Sequence, residues 1–375
     1  MDELNLIETD AGLIYQEIIG ILEENVSETL YPGDERLLFG EALVAVIVAV
    51  YNTVNDRCRQ RMIRFARGVV LDALGERMQT PRLQPNKATT TMRFIATQPD
   101  IHNNIIPSGT RVTADSELYY EVISTVVLHA GDSFIDVEVV AQEGGAKYNG
   151  YSSGTITTLV DQLPFIKSVT NLTTTSGGDD GEAYNTDGDD RYRVRILLAP
   201  ETLSAAGTEG RYAYYALSAD PSIIDVRVIT PAPGRVTVIP LLQNGDIPDS
   251  AMLDKILNVV GDRAVRAFTD LVNVEPPATV PYDINLTYYT TSQNLSTVTE
   301  MVEASGGAID KYIEWQSQEL GRLINPDKLR SLILAPEGRV GADRIDIISP
   351  AFIEVPELSV AQFSGNKTVN VVVRG

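Results

Sequence analysis

The sequence predicts a multidomain α+β protein: an N-terminal helical segment, a small β-rich domain and two α+β domains. Three observations predict it. The first 80 residues carry apolar side chains at steps of three or four. Residues 88–175 switch to alternation, punctuated by turn residues. From residue 186 onward, helical and strand patterns follow one another. The expected blocks are therefore 1–80, 88–175, 186–280 and 281–375.

In the first block Asp10 is placed to cap a helix whose apolar positions include Ile14, Ile18, Ile21 and Leu22. Tyr31-Pro32-Gly33-Asp34 breaks it. Asp34 then caps a second helix expected to run to about Ala66, roughly 30 residues or about 45 Å. Its expected stripe is Ile47, Tyr51, Val54, Cys58, Met62 and Phe65, with Asn55, Asp56, Arg57, Arg59, Gln60, Arg61 and Arg64 opposite. So long an apolar face exceeds what the preceding helix covers, and the stripe is a candidate bundle interface with other chains. A short helix is expected over Val69 to Leu74.

In the second block Thr89–Ala96 alternates, and Val122–Leu128 and Phe134–Ala141 are β-branched. Closely spaced turns point to a small sandwich or barrel. The third block predicts helices at Asp189–Leu198, Glu209–Ser218 (capped by Thr208) and Ala251–Phe268. It predicts strands at Ile224–Thr230, Val236–Leu241 and Asp270–Val274. The fourth predicts strands at Tyr282–Thr290, Arg344–Ile348 and Lys367–Val373. A helix is expected from Leu295 to about Leu320, with a kink at Gly306-Gly307, and another over Pro326–Leu334.

Composition narrows the function. With 51 acidic and 30 basic residues the net charge is -21, which argues against nucleic acid and anionic membranes as partners. The lone Cys58 excludes an intrachain disulfide and, on the apolar stripe, reads as buried. The N-terminus lacks a secretory pattern, and the uninterrupted apolar run Ala42–Val50 is short of a membrane span, so a soluble chain made in the cytoplasm is expected. Asp179, Asp180, Glu182, Asp187, Asp189 and Asp190 are the best metal candidates. Counting back from Gly181 or Gly188 puts Ser176 or Ala183 at the first calcium-loop position, so the pattern reads instead as a solvated loop feeding a helix start. His102 and His129 lie in no catalytic or metal motif, and no phosphate loop is present. No enzymatic activity, metal or cofactor is expected. Trp315 reads as core, and the grouped Tyr212, Tyr214 and Tyr215 suit half-buried contact surfaces. Gly177, Gly178, Gly181 and Gly188, set among six carboxylates, are a candidate hinge between the β block and the half that follows.

Four runs carry a family resemblance. They are LYPGDERLL with ARGVVLDALGERMQTPRL, and IPSGTRVTADSELYYEV with LHAGDSFIDVEVVAQEGGAKYN and SVTNLTTTSGGDDGEAYNTDGDDRYRVRI. The third is APETLSAAGTEGRYAYYALSADPSIIDVRVITPAPGRVTVIPL and the fourth RAFTDLVNVEPPATVPYDINLTYY. In this order, from about Leu30 to Tyr289, they resemble the baseplate J-like proteins of contractile phage tails and related injection systems. Ala183-Tyr184-Asn185 after Glu182 departs from the family pattern. The resemblance implies a structural wedge subunit in a ring of sixfold symmetry around a hub. Its implied partners are a second J-like copy and adjacent wedges, an I-type tail protein and a small wedge protein under the sheath. It implies a place in the baseplate of a virion or injection particle and a part in the switch that releases sheath contraction. A surface adhesin or fibre-associated module, and a tail-associated hydrolase working through paired carboxylates, are the alternatives.

Overall fold

The computed structural model describes residues 4–204, 206–334, 336 and 340–374. The chain divides into two units: Met1–Pro81 with Tyr184–Leu197, and Arg82–Ala183 with Leu198–Gly375.

The first unit is helical. Helix α1 (Ala11–Val26) starts at Asp10, whose carboxylate accepts from the Gly12 and Leu13 amides at 2.7 and 3.1 Å. Helix α2 (Glu35–Arg59) starts at Asp34 in the same way. Gly40 lets α1 approach: a Cβ there would sit 3.0 Å from Ile19. Helix α2 ends well before Ala66. The Gln60 side chain donates to Phe65 O at 3.2 Å and accepts from Arg67 N at 3.1 Å, folding residues 60–67 into turns. Met62 and Phe65 therefore lie outside the helix expected to carry them. Helix α3 (Gly68–Arg77) and helix α4 (Thr186–Leu198) follow. Ala66, Leu71, Tyr192 and Ile196 form a small core.

The second unit opens with a six-stranded antiparallel sheet. Its strands are β1 (Thr89–Ala96), β3 (Arg111–Thr113), β4 (Tyr119–Val122), β6 (Phe134–Ala141), β7 (Thr158–Leu159) and β8 (Ile166–Asn171). The order is β7-β3-β4-β6-β1-β8, and the sheet nearly closes into a barrel. A two-stranded ladder joins β2 (Asn104–Ile106) to β5 (Val126–Leu128). The expected strand Val122–Leu128 is thus split between β4 and β5. Alternation in β1 sends Met92 and Phe94 into a core with Ile106, Val112, Tyr120 and Val139.

Next, helices α5 (Glu209–Leu217) and α6 (Ser250–Val260) pack on β9 (Ile223–Ala232), β10 (Arg235–Leu242) and β11 (Leu271–Val274). Strands β9 and β10 form a hairpin, and β11 runs parallel to β10. Helix α6 stops short of the expected Phe268. Arg211 holds the chain beyond it, donating to Val265 O at 2.6 Å and Ala264 O at 2.8 Å.

The last sheet sets β12 (Ala278–Thr291) between β13 (Arg344–Ser349) and β14 (Ser359–Arg374). Helices α7 (Leu295–Glu303), α8 (Ala308–Ser317) and α9 (Pro326–Leu334) cover one face. Tyr282, Ile284, Leu286 and Tyr288 point into that core. The expected single helix Leu295–Leu320 is two helices, because Gly306 adopts φ +73° between them. Ile239, Leu241, Leu320 and Val360 pack the two α+β sheets together.

Candidate interface and joint

The feature of the first unit that points outward is an apolar face of α2. Phe39, Leu43, Val46, Val50 and Val54 follow steps of four, three, four and four, and all are exposed: Val46 by 60% and Val50 by 52%. This is the spacing of a helix seam. The other face packs on α1 through Gly40 and Val44. It also holds Asn55, which sequence reasoning placed on the polar side. Asn55 is fully buried; its amide oxygen accepts from Leu6 N and Ile7 N at 3.0 and 2.9 Å, and its nitrogen donates to Ile7 O at 2.8 Å.

Against this frame the expected stripe separates. Ile47, Tyr51 and Cys58 are half-buried, as is Phe65 in the turn beyond, and Val54 and Met62 are exposed. The exposed face is rotated toward Phe39, Val46 and Val50. Periodicity alone finds an amphipathic helix but not which of two apolar arcs meets the neighbour, because α2 is apolar around much of its circumference. Among the described residues α2 is also the one helix whose length and composition match a membrane crossing. The uninterrupted apolar run Ala42–Val50 by itself is shorter than a membrane span.

The acidic segment feeds the start of α4 as expected but is only partly solvated: Asp180, Asp187 and Asp190 are exposed. Asp179, Glu182 and Asp189 are buried. Asp179 accepts from Gly181 N at 2.7 Å, Glu182 from Leu83 N at 2.8 Å, and Asp180 from Ala146 N at 2.8 Å. Asp189 accepts from Gly68 N at 2.9 Å. Asp190 pairs with Arg193 and Asp187 with Arg191. The carboxylates thus face separate donors rather than one point. Among the described residues no three His, Cys, Asp or Glu side chains form a metal-sized group.

The candidate hinge glycines have different surroundings. Gly177 adopts φ +86° with open space at its Cβ position. Gly178 and Gly181 are wedged: an added Cβ would lie 2.5 Å from Gly145 O and 2.7 Å from Leu83 O. Gly178 also exchanges two hydrogen bonds with the Asn149 side chain, both 2.8 Å. Gly188 lies in the first turn of α4, its amide bonded to Asn185 Oδ1 at 2.7 Å. Bridges Asn86↔Asp179 and Thr89↔Ser176 fasten this segment to the entry of the barrel.

A buried hub that the sequence did not reveal sits at Asp220. It is 3% exposed and accepts from Lys255 Nζ at 2.5 Å, Ser222 Oγ at 2.6 Å, Ser222 N at 2.8 Å and Asn86 Nδ2 at 3.0 Å. Burial pushes its carboxyl up, but Lys255 and Ser222 together hold it below the ordinary carboxylate range. His102 and His129 are exposed. Trp315 is half-buried against the last core, with the Arg322 guanidinium 4.5 Å and the Lys328 ammonium 5.5 Å from its ring centre.

Two family models match the chain in sequence order. Residues 91–178 match the baseplate J-like protein barrel domain, and residues 204–276 match the baseplate J-like central domain. Baseplate protein J of Escherichia phage P2 is 38% identical over 102 residues, covering 27% of this chain and 34% of that protein. Over these segments the chain is similar to the baseplate J-like proteins. The barrel domain model falls on β2 to β8 and most of β1, and the central domain model on the α5, α6 and β9–β11 block. The match thus spans about a third of the phage P2 protein's length. A chain in a sixfold-symmetrised cryo-EM structure of the anti-feeding prophage baseplate aligns over 94% of this chain and 89% of its own length. The identity is 12% and the TM-score 0.44.

Proposed function

We propose that this chain is a baseplate J-like protein that serves as a structural wedge subunit in the baseplate of a contractile tail or injection particle. In this role it packs around a hub, in a ring of sixfold symmetry. It meets a second J-like copy, adjacent wedges, an I-type tail protein and a small wedge protein under the sheath, and helps pass on the switch that releases contraction. The chain works by assembly rather than catalysis, without metal or cofactor. The observation that carries an assembling role is the apolar seam Phe39–Val54, which α1 leaves uncovered. A monomeric soluble protein rarely exposes so continuous an apolar stripe without a partner. Membrane insertion of α2 is the competing reading for the same face.

The test is an electron-microscopy image of the purified particle with this chain labelled. Label in a ring at the sheath-proximal end of the baseplate supports the proposal. Label on fibres, or none on the particle, refutes it. Flotation of the full chain with lipid vesicles separates the competing reading: a chain that floats places α2 in the bilayer.

A further inference from the structure

The outer edge of β14 pairs with no strand among the described residues. Strand β14 pairs in parallel with β12 from Ala278↔Ser359 to Thr291↔Arg374, and β13 occupies the other side of β12. Ser359 to Ala361 are buried, with Val360 packed against Leu320 and Ile239. From Ser364 onward every residue except Val369 is exposed. Gly365, at φ +90°, and the register shift between Tyr282 and Ile284 mark the change. Beyond them Lys367–Arg374 is regular strand. Its outward N–H and C=O groups form a ready template for another extended backbone.

The side chains show a sheet that stops one strand short. Register sets Val369 beside Leu286, Val371 beside Tyr288 and Val373 beside Thr290. Those three β12 residues are buried. Val371 and Val373 nevertheless remain 41% and 44% exposed, and Val372 on the opposite face 41%. Three β-branched side chains in a row thus lack an outer neighbour.

Charge selects among occupants. Lys367 and Arg374 are the only charges in the stretch, both positive, in a chain of net charge -21. A second copy centred antiparallel on the same stretch sets Lys367 opposite Arg374, and like charges directly opposite are destabilising. An acidic segment meets them favourably.

We infer that Lys367–Arg374 is a strand-addition site that takes an extended segment of a different polypeptide, β-branched in its middle and acidic at its ends. This inference stands apart from the assembly role of α2.

Hydrogen–deuterium exchange of the full chain in low salt tests it with two synthetic peptides of about nine residues. Both alternate valine and threonine; one ends in glutamates and the other in lysines. The glutamate peptide slows exchange within residues 366–374, and the lysine peptide binds at least about tenfold more weakly. Equal effects from both peptides, or no slowing with either, overturn the inference. So does slowing that appears with protein concentration alone, which makes a second copy the occupant. Val371→Pro and Val372→Pro provide a second readout, since adjacent residues donate to opposite sides of a strand. One of the two keeps the fold and loses the peptide's protection. If both unfold, the wild-type exchange decides.

Discussion

At Gly75 a single methyl group decides whether the first unit packs. A Cβ there would fall 1.9 Å from the Tyr192 hydroxyl, which itself donates to Thr80 O at 2.6 Å. Gly75→Ala is expected to destabilise the chain by about 1–3 kcal/mol in urea unfolding. Adding Tyr192→Phe removes the nearest clash and leaves the ring carbon at 2.6 Å and Thr80 O at 2.9 Å, so the double variant should lose somewhat less than the sum of the two single changes. Asp220→Ala acts through polar satisfaction instead. It strands the Asn86 amide and Ser222 hydroxyl and frees Lys255, at about 1–3 kcal/mol, measured the same way. Asp115 sets a pH response. The Leu118 amide, the Tyr151 hydroxyl and the Glu117 amide hold its carboxyl at about 2. Its folded value lies below the ordinary value of about 3.9, so its contribution is complete above about pH 4 and is lost as pH falls toward 2. Tyr151, bonded to that carboxylate and partly desolvated, is pushed up to about 12. Its contribution is complete below about pH 10 and is lost as pH rises toward 12. Asp115→Asn should flatten the acid limb of a stability-against-pH curve; an unaltered acid limb contradicts this assignment.

Among the elements, α2 is where sequence and structure part most instructively. Its start at Asp34, like those of α1 at Asp10 and α5 at Thr208, was legible because a cap bonds amides within three residues. The alternation of β1 was legible for the same reason: one face of a strand is set by neighbours two apart. The inward face of α2 was not, because Asn55 is fixed by a segment 48 and 49 residues away. The early end of α6 depends on Arg211 in another helix, and the Asp220 hub gathers residues from three parts of the chain. The stripe Phe39–Val54 is therefore a structural finding, and it makes a sharper prediction than the sequence did. Val50→Asp and Val54→Asp place a carboxylate on an exposed face, so far-UV circular dichroism and the unfolding midpoint of the isolated chain should change little. In the proposed bundle the same carboxylate is desolvated, at several kcal/mol, and wedge assembly fails. A folded Val50→Asp chain that still co-purifies with its tail partners at wild-type yield removes α2 from the interface.

For the whole molecule the proposed part in a contraction switch raises the question of where the chain would bend. The barrel and the two α+β sheets share one unit, within which Asp220 ties Asn86 at the barrel entry to α6 through Lys255. Wedged Gly178 and Gly181, with the bridges at Asp179 and Ser176, resist rotation inside residues 176–182. The chain passes from one unit to the other between Ala183 and Tyr184, within the Ala183-Tyr184-Asn185 run. The joint proposed for Gly177, Gly178, Gly181 and Gly188 is therefore expected to act through the chain between Gly181 and Gly188, with the wedged glycines as its fixed side. Comparison of particles before and after sheath contraction tests this. The angle between residues 88–170 and residues 186–197 should change by more than the scatter within either set. The angle between residues 88–170 and residues 204–276 should stay constant, because the Asp220 hub holds them. Rotation of the second pair, with the first unchanged, would move the joint to the far side of α4 and remove these glycines from the switch.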